Sequence, residues 1–246
     1  MIAVENLYRQ YGNLVAVDQV SFVVKPGEVL GLVGPNGAGK TTTLRMLAGI
    51  VQPTSGSIRM KGHDLLEEPI LAKRETAYVP DDPRLFDALT VDEHLEFTAS
   101  MYGVSDHKAK ADELLTLFDL VEKRDTAVDN LSLGMRQKLS ICCAYLSNPS
   151  VLIFDEPLTG LDPRGMIAIK KSIHNCAKNG AAVIISSHIL SLVETLCTHI
   201  LILDKGKKLF YDSMDNVIQV MGSKSENSSL ESVFLEITRG SEEGDT

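Results

Sequence analysis

The chain has 246 residues, with 24 Lys and Arg against 33 Asp and Glu, a formal charge of −9. That length fits one α/β domain with at most a modest insertion, and 44% hydrophobic residues supply ample core material. The acid excess argues against nucleic-acid binding, which takes a basic footprint, and no apolar run reaches the roughly 20 residues that span a bilayer.

The start, MIAVENLYRQYG, lacks the basic and apolar stretches of a secretory signal, so the chain is expected to stay in the cytoplasm. Apolar alternation predicts strands over Ile2–Leu7, Val20–Val24 and Val29–Val33, punctuated by Tyr11-Gly12 and Pro26-Gly27. A glycine-rich loop, Gly34–Gly39, then leads into a helix over Thr41–Ala48, and short strands are expected at Ser57–Met60 and Thr76–Val79. From Leu85 to Asn148 the periodicity is helical. Thr90 and Glu93 form a capping-box pattern before Leu95, Ala99 and Tyr102, and further helices cover Leu114–Val121 and Ser132–Leu146. Strands return at Val151–Phe154, Ala182–Ser186 and Ile200–Leu203, alternating with helices near Arg164–Ala177 and Ile189–Leu196. This alternation implies a largely parallel sheet covered on both faces, interrupted by an all-helical insertion. GSKSENSS reads as a polar linker, Leu230–Ile237 as an amphipathic segment and GSEEGDT as a disordered end. Cys142, Cys143, Cys176 and Cys197 show no CxxC spacing and read as buried thiols.

Two motifs carry chemistry. Gly34-Pro35-Asn36-Gly37-Ala38-Gly39-Lys40-Thr41 matches GxxxxGK[ST] between a predicted strand and a predicted helix, the context of a phosphate-binding loop. Its N–H groups and the helix N-terminus suit phosphate oxygens, Lys40 supplies a charge, and the Thr41 hydroxyl, with Thr42 beside it, suits Mg²⁺. Val151-Leu152-Ile153-Phe154 ends in Asp155 and Glu156, acids delivered at the carboxyl end of a buried strand. Asp155 suits Mg²⁺, and Glu156 suits polarising an attacking water.

With those motifs in place, others follow in order: Leu131-Ser132-Leu133-Gly134-Met135, then Gly160-Leu161-Asp162, then Ser187-His188, with Tyr11 upstream. The series resembles the nucleotide-binding subunit of ATP-binding cassette (ABC) transporters over most of the chain. The resemblance implies a P-loop NTPase (RecA-like) core with an N-terminal antiparallel β portion, formed by 1–84 and 149–221. It also implies a helical signature subdomain, 85–148, and a tail, 222–246. On this reading Tyr11 stacks on adenine, Gly34–Thr42 hold the phosphates, His188 is the switch histidine, and Lys40, Glu156 and His188 serve hydrolysis. Ser132, Gly134 and Asp162 meet ATP held by a second subunit in a homodimer or heterodimer. The cofactors are ATP and Mg²⁺, and the protein is an ATPase, peripheral on the cytoplasmic membrane face. It docks through the region Asp81–Leu89 onto permease subunits encoded separately. Ser229–Glu236 resembles the tail of the type-2 export subgroup, which favours export; a non-transport or regulatory soluble ABC ATPase is the alternative. The sequence departs from the family pattern at Asp81, where glutamine is usual, and at Leu133 and Met135 in the signature.

Overall fold

Val29–Val33 (β3), Val151–Asp155 (β7) and Ala182–Ser186 (β8) are buried along their whole length. That is what strands covered on both faces require. In the computed structural model, which describes residues 1–224 and 230–242, they form the middle of a six-stranded sheet. Thr76–Val79 (β6) lies at one edge, and His199–Asp204 (β9) and Lys207–Ser213 (β10) lie on the other side. The order is β10-β9-β3-β8-β7-β6; only β10 pairs antiparallel. A second, antiparallel sheet joins Ile2–Tyr11 (β1), Leu14–Val24 (β2), Ser55–Met60 (β4) and His63–Asp64 (β5) in the order β2-β1-β4-β5.

Alternate residues of each central strand feed two cores, as the period-2 pleat dictates. Leu30, Leu32, Ile153 and Ile184 pack with the antiparallel sheet and with Lys40–Leu47 (α1). Val33, Phe154, Val183 and Ile185 pack on the opposite face. That face is covered by Val91–Tyr102 (α3), His107–Leu117 (α4), Leu133–Leu146 (α5), Pro163–Lys178 (α6) and Leu190–Leu196 (α7), α2 being Pro69–Arg74. Each large side chain buried this way contributes roughly 1.5–3 kcal/mol. The predicted capping box is formed: Thr90 Oγ1 accepts from Glu93 N at 3.2 Å, and Glu93 Oε2 accepts from Thr90 N at 2.8 Å.

Several boundaries differ from the sequence expectation. β1 runs on to Tyr11 and β2 starts at Leu14, because Gly12 and Asn13 close a two-residue hairpin that the polar stretch Tyr8–Gln10 conceals. β5, β10 and α2 are polar or short and carry little periodicity. Met214–Lys224 (α8) covers the start of the expected linker, while residues 225–229 lie outside the described residues. Leu230–Glu242 (α9) extends into the expected disordered end, of which 243–246 lie outside them. Leu230 is buried, and Val233, Phe234 and Ile237 pack against the core that includes α7.

Candidate active site

β3 ends at Val33, and the chain must turn at once into α1. Gly39, at φ +98°, makes that turn where a Cβ would stand 2.4 Å from the Ala16 carbonyl oxygen. A side chain is therefore excluded both by conformation and by space. The loop so formed walls a cleft of about 620 Å³ lined by Tyr11, Leu14, Val15, Ala16, Asn36–Thr42, Asp81, Asp155, Glu156 and Lys205. The first turn of α1, Lys40–Thr42, contributes N–H groups with no earlier helical turn to bond to, and with them the positive end of the helix. Lys40 Nζ donates to the carbonyls of Gly34 at 2.7 Å and Pro35 at 3.1 Å, so its ammonium lies along the loop. Burial lowers the Lys40 pKa, opposed by the charges of Glu156 and Asp155.

Across the cleft, β7 delivers its carboxylates. Asp155 is 1% exposed; its Oδ1 accepts from Ser186 Oγ at 2.6 Å and its Oδ2 from the Tyr78 hydroxyl at 3.4 Å. Burial, reinforced by the Asp155 charge, pushes the Tyr78 phenol up to about 12, which keeps it a donor. Ser186 Oγ also accepts from Glu156 N at 3.0 Å. Glu156 itself sits at φ +46°, a left-handed conformation costly for a side chain of this kind and found at sites that demand a particular aim. Its Oε2 lies 2.9 Å from His188 Nδ1, so the imidazole N–H holds the carboxylate. A carboxylate fixed in this way, opposite a lysine and a helix N-terminus, can accept a proton from a water attacking a bound phosphoryl group.

The remaining predicted residues gather elsewhere. Ser132 caps α5, its Oγ accepting from Met135 N at 3.3 Å; with methionine at that position, no side chain reaches back to complete a capping box. A Cβ on Gly134 would meet the Gly160 carbonyl oxygen at 2.5 Å, so the start of α5 packs flat on the loop before α6. Leu133 covers Gly160 from the side. Asp162 caps α6 through Gly165 N at 3.0 Å and pairs with the buried Lys138 at 3.1 Å. Ser132, Gly134 and Asp162 are thus brought together with one another and not with the cleft of their own chain.

A profile of the ABC transporter family matches residues 17–159. The chain is 34% identical over 241 residues to the ABC-type transporter ATP-binding protein EcsA of Bacillus subtilis, covering 97% of each. The chain belongs to the ABC transporter family. It is 39% identical to the bacitracin transport ATP-binding protein BcrA of Bacillus licheniformis, over 85% of this chain and 68% of that one. A solved ATP-binding subunit of an ABC transporter superposes with a TM-score of 0.91 at 33% identity, covering 97% of this chain and 99% of that one. A dimeric bacterial ABC transporter cassette, 23% identical, shares the fold with a TM-score of 0.80 over 87% of this chain and 99% of its own length.

As an ABC ATPase the chain binds and hydrolyses ATP, and its donor set can be tested against Mg²⁺. Asp155 takes two hydroxyl donors and keeps acceptor capacity towards the cleft, whose other wall carries the Thr41 hydroxyl. Among the described residues no cluster of three or more His, Cys, Asp or Glu is assembled as a metal site. One carboxylate, one hydroxyl and the phosphate oxygens of a nucleotide are an all-oxygen set that fits Mg²⁺. Sequence reasoning missed Leu14, Val15, Ala16, Ser186 and Lys205. Ser186 left one signal, a polar residue closing an otherwise apolar strand; the others reach the cleft only through the pairing of β2 and the β9–β10 turn.

Proposed function

We propose that the cleft holds Mg²⁺-ATP as one half of a composite site, completed by the start of α5 in a second ATP-binding subunit. The observation that carries this is the division of the ATP-related residues into two groups on one chain. The serine hydroxyl and first-turn amides of α5 are the chemistry of an anion site, yet none lines the chain's own phosphate loop. In the hydrolysing dimer, Lys40 and the Asn36–Thr42 amides bind the phosphates, and Tyr11 supports the base. Thr41 and Asp155 would hold Mg²⁺, which supplies charge neutralisation at the β- and γ-phosphate oxygens. Glu156 takes the proton of the attacking water, and His188 keeps its carboxylate aimed.

The domain division follows the same reading: a RecA-like core of 1–84 and 149–221, with a helical subdomain, 85–148, that presents α5 to the partner. No helix among the described residues is long and apolar enough to cross a membrane. On this reading, which the ATP-binding-protein relatives support, the work is passed to separate permease subunits, with this chain on the cytoplasmic face. The docking region Asp81–Leu89 exposes Phe86, and Phe97 stands edge-on to it at 5.3 Å. Export is favoured by a relative in Burkholderia thailandensis named for Nod factor export, 36% identical over 83% of this chain.

The test is ATP turnover with and without Mg²⁺, paired with the mass of the nucleotide-bound species. Glu156→Gln should lower turnover about a hundredfold or more while an ATP-loaded dimer accumulates, because an amide cannot take the proton. Undiminished turnover would refute the role given to Glu156.

A further inference from the structure

The Arg9 guanidinium lies over the Tyr11 ring, its central carbon 4.3 Å from the ring centroid. Tyr11 lines the nucleotide cleft and is 43% exposed, whereas Arg9 does not line it. The arginine thus covers one face of the ring from outside the cleft lining. Arg9 is anchored from behind: its terminal nitrogen donates to the Gln52 carbonyl at 2.9 Å, while its Nε is buried with no hydrogen-bond partner. Leaving that donor unpaired is unfavourable, so the side chain is held by its stacking and its single anchor rather than by a full set of bonds. Gln52 follows the C-terminal end of α1, the helix whose first turn lines the phosphate side of the cleft. The β1–β2 hairpin beyond Arg9 is braced in turn by Gln10, whose amide donates to Gly12 O at 2.7 Å.

We infer that Arg9 is a positioning residue for the nucleotide base: it backs Tyr11 as the inner layer of a guanidinium–phenol–purine stack and ties that platform to the segment that follows α1, which sets the base-to-phosphate spacing. This rests on the assignment of Tyr11 to the base. A partly buried cation against one ring face limits the freedom of an aromatic at an exposed hairpin, so the base meets a platform already in place. Lysine has the charge without the planar face and would replace it in part.

The experiment measures binding of Mg²⁺-ATP and of inorganic tripolyphosphate by calorimetry to the parent, Arg9→Met, Arg9→Lys, Tyr11→Leu and the Arg9→Met/Tyr11→Leu pair. Arg9→Met keeps the length of the side chain and its apolar packing. It should weaken ATP about threefold to tenfold, with Arg9→Lys between it and the parent, and leave tripolyphosphate unchanged. The double variant should bind ATP no more weakly than Tyr11→Leu alone, because Arg9 acts only through the ring. The chain contains no tryptophan, so quenching of tyrosine fluorescence by ATP gives an independent reading, smaller in Arg9→Met than in the parent. Equal weakening of ATP and tripolyphosphate, or additive effects in the double variant, would overturn the inference in favour of a general structural role. Unchanged ATP binding in Arg9→Met with a defect in Tyr11→Leu would overturn it and keep the base assignment. No defect in Tyr11→Leu would remove that assignment itself.

Discussion

Asp81 stands on the cleft wall directly after Pro80, exposed, at the position where the family pattern has glutamine. A carboxylate is one methylene shorter than the glutamine side chain and carries a negative charge towards the γ-phosphate oxygens. Two unit charges about 4 Å apart in a water-like medium repel by about 1 kcal/mol. The neighbouring Tyr78 already registers this field, Asp81 adding to burial and Asp155 in raising its phenol. Asp81→Gln should therefore raise the basal ATPase of the isolated subunit about threefold to tenfold at saturating ATP. Equal rates would show Asp81 to be a loop residue without a part in the chemistry. Glu156 is the complementary case, a residue whose left-handed backbone is tolerated because Ser186, Asp155 and His188 fix everything around it.

The segment between β6 and α3 is where separate elements are tied together. Gln137 on α5 is 1% exposed and donates to Pro80 O at 3.3 Å, so the signature helix holds the start of this segment. Its far end is held by His94 on α3, whose Nε2 accepts from Phe86 N at 2.9 Å while Nδ1–H donates to Thr90 O at 3.2 Å. Only the neutral imidazole can do both, and burial lowers its pKa from the ordinary 6.5. The unfolded chain takes up this proton first as the pH falls. The contribution of His94 is therefore complete above the ordinary value and declines below it, until the folded value is passed. The melting temperature of the parent should thus fall more steeply between about pH 7 and pH 5 than that of His94→Gln, which cannot titrate. Parallel profiles would contradict this role.

These ties also mark what the sequence could not convey. The phosphate loop and the Asp155–Glu156 strand end were legible because their chemistry is local, glycine at forced turns and acids behind an apolar run. The Gln137, Ser186 and Arg9 contacts join residues distant in the chain, or bring a polar stretch of β1 to bear on a ring, and no periodicity announces them. For the same reason the polar edge strand β10 and the extension of the β1–β2 hairpin went unpredicted.

On the whole molecule, the residues assigned to ATP fall into two separate groups, which the proposed dimer would join. The cleft lies at the carboxyl ends of β3 and β7, and the α5 start, packed on Gly160 and tied by Lys138 to Asp162, lies apart from it. A pair of chains related by a two-fold axis would place each α5 start over the other's cleft, with self-complementary contacts. ATP would bridge the halves, so closure follows from contacts made only in the paired state. Mixing two inactive variants, Lys40→Ala and Ser132→Arg, tests this most directly. In a hybrid dimer the Ser132→Arg chain supplies an intact phosphate loop and the Lys40→Ala chain an intact α5 start, which restores one site. Random pairing in equal amounts makes half the dimers hybrids, each with one working site, so about a quarter of the parental ATPase activity should return. No recovery, with hybrid dimers shown to be present, would contradict the shared site.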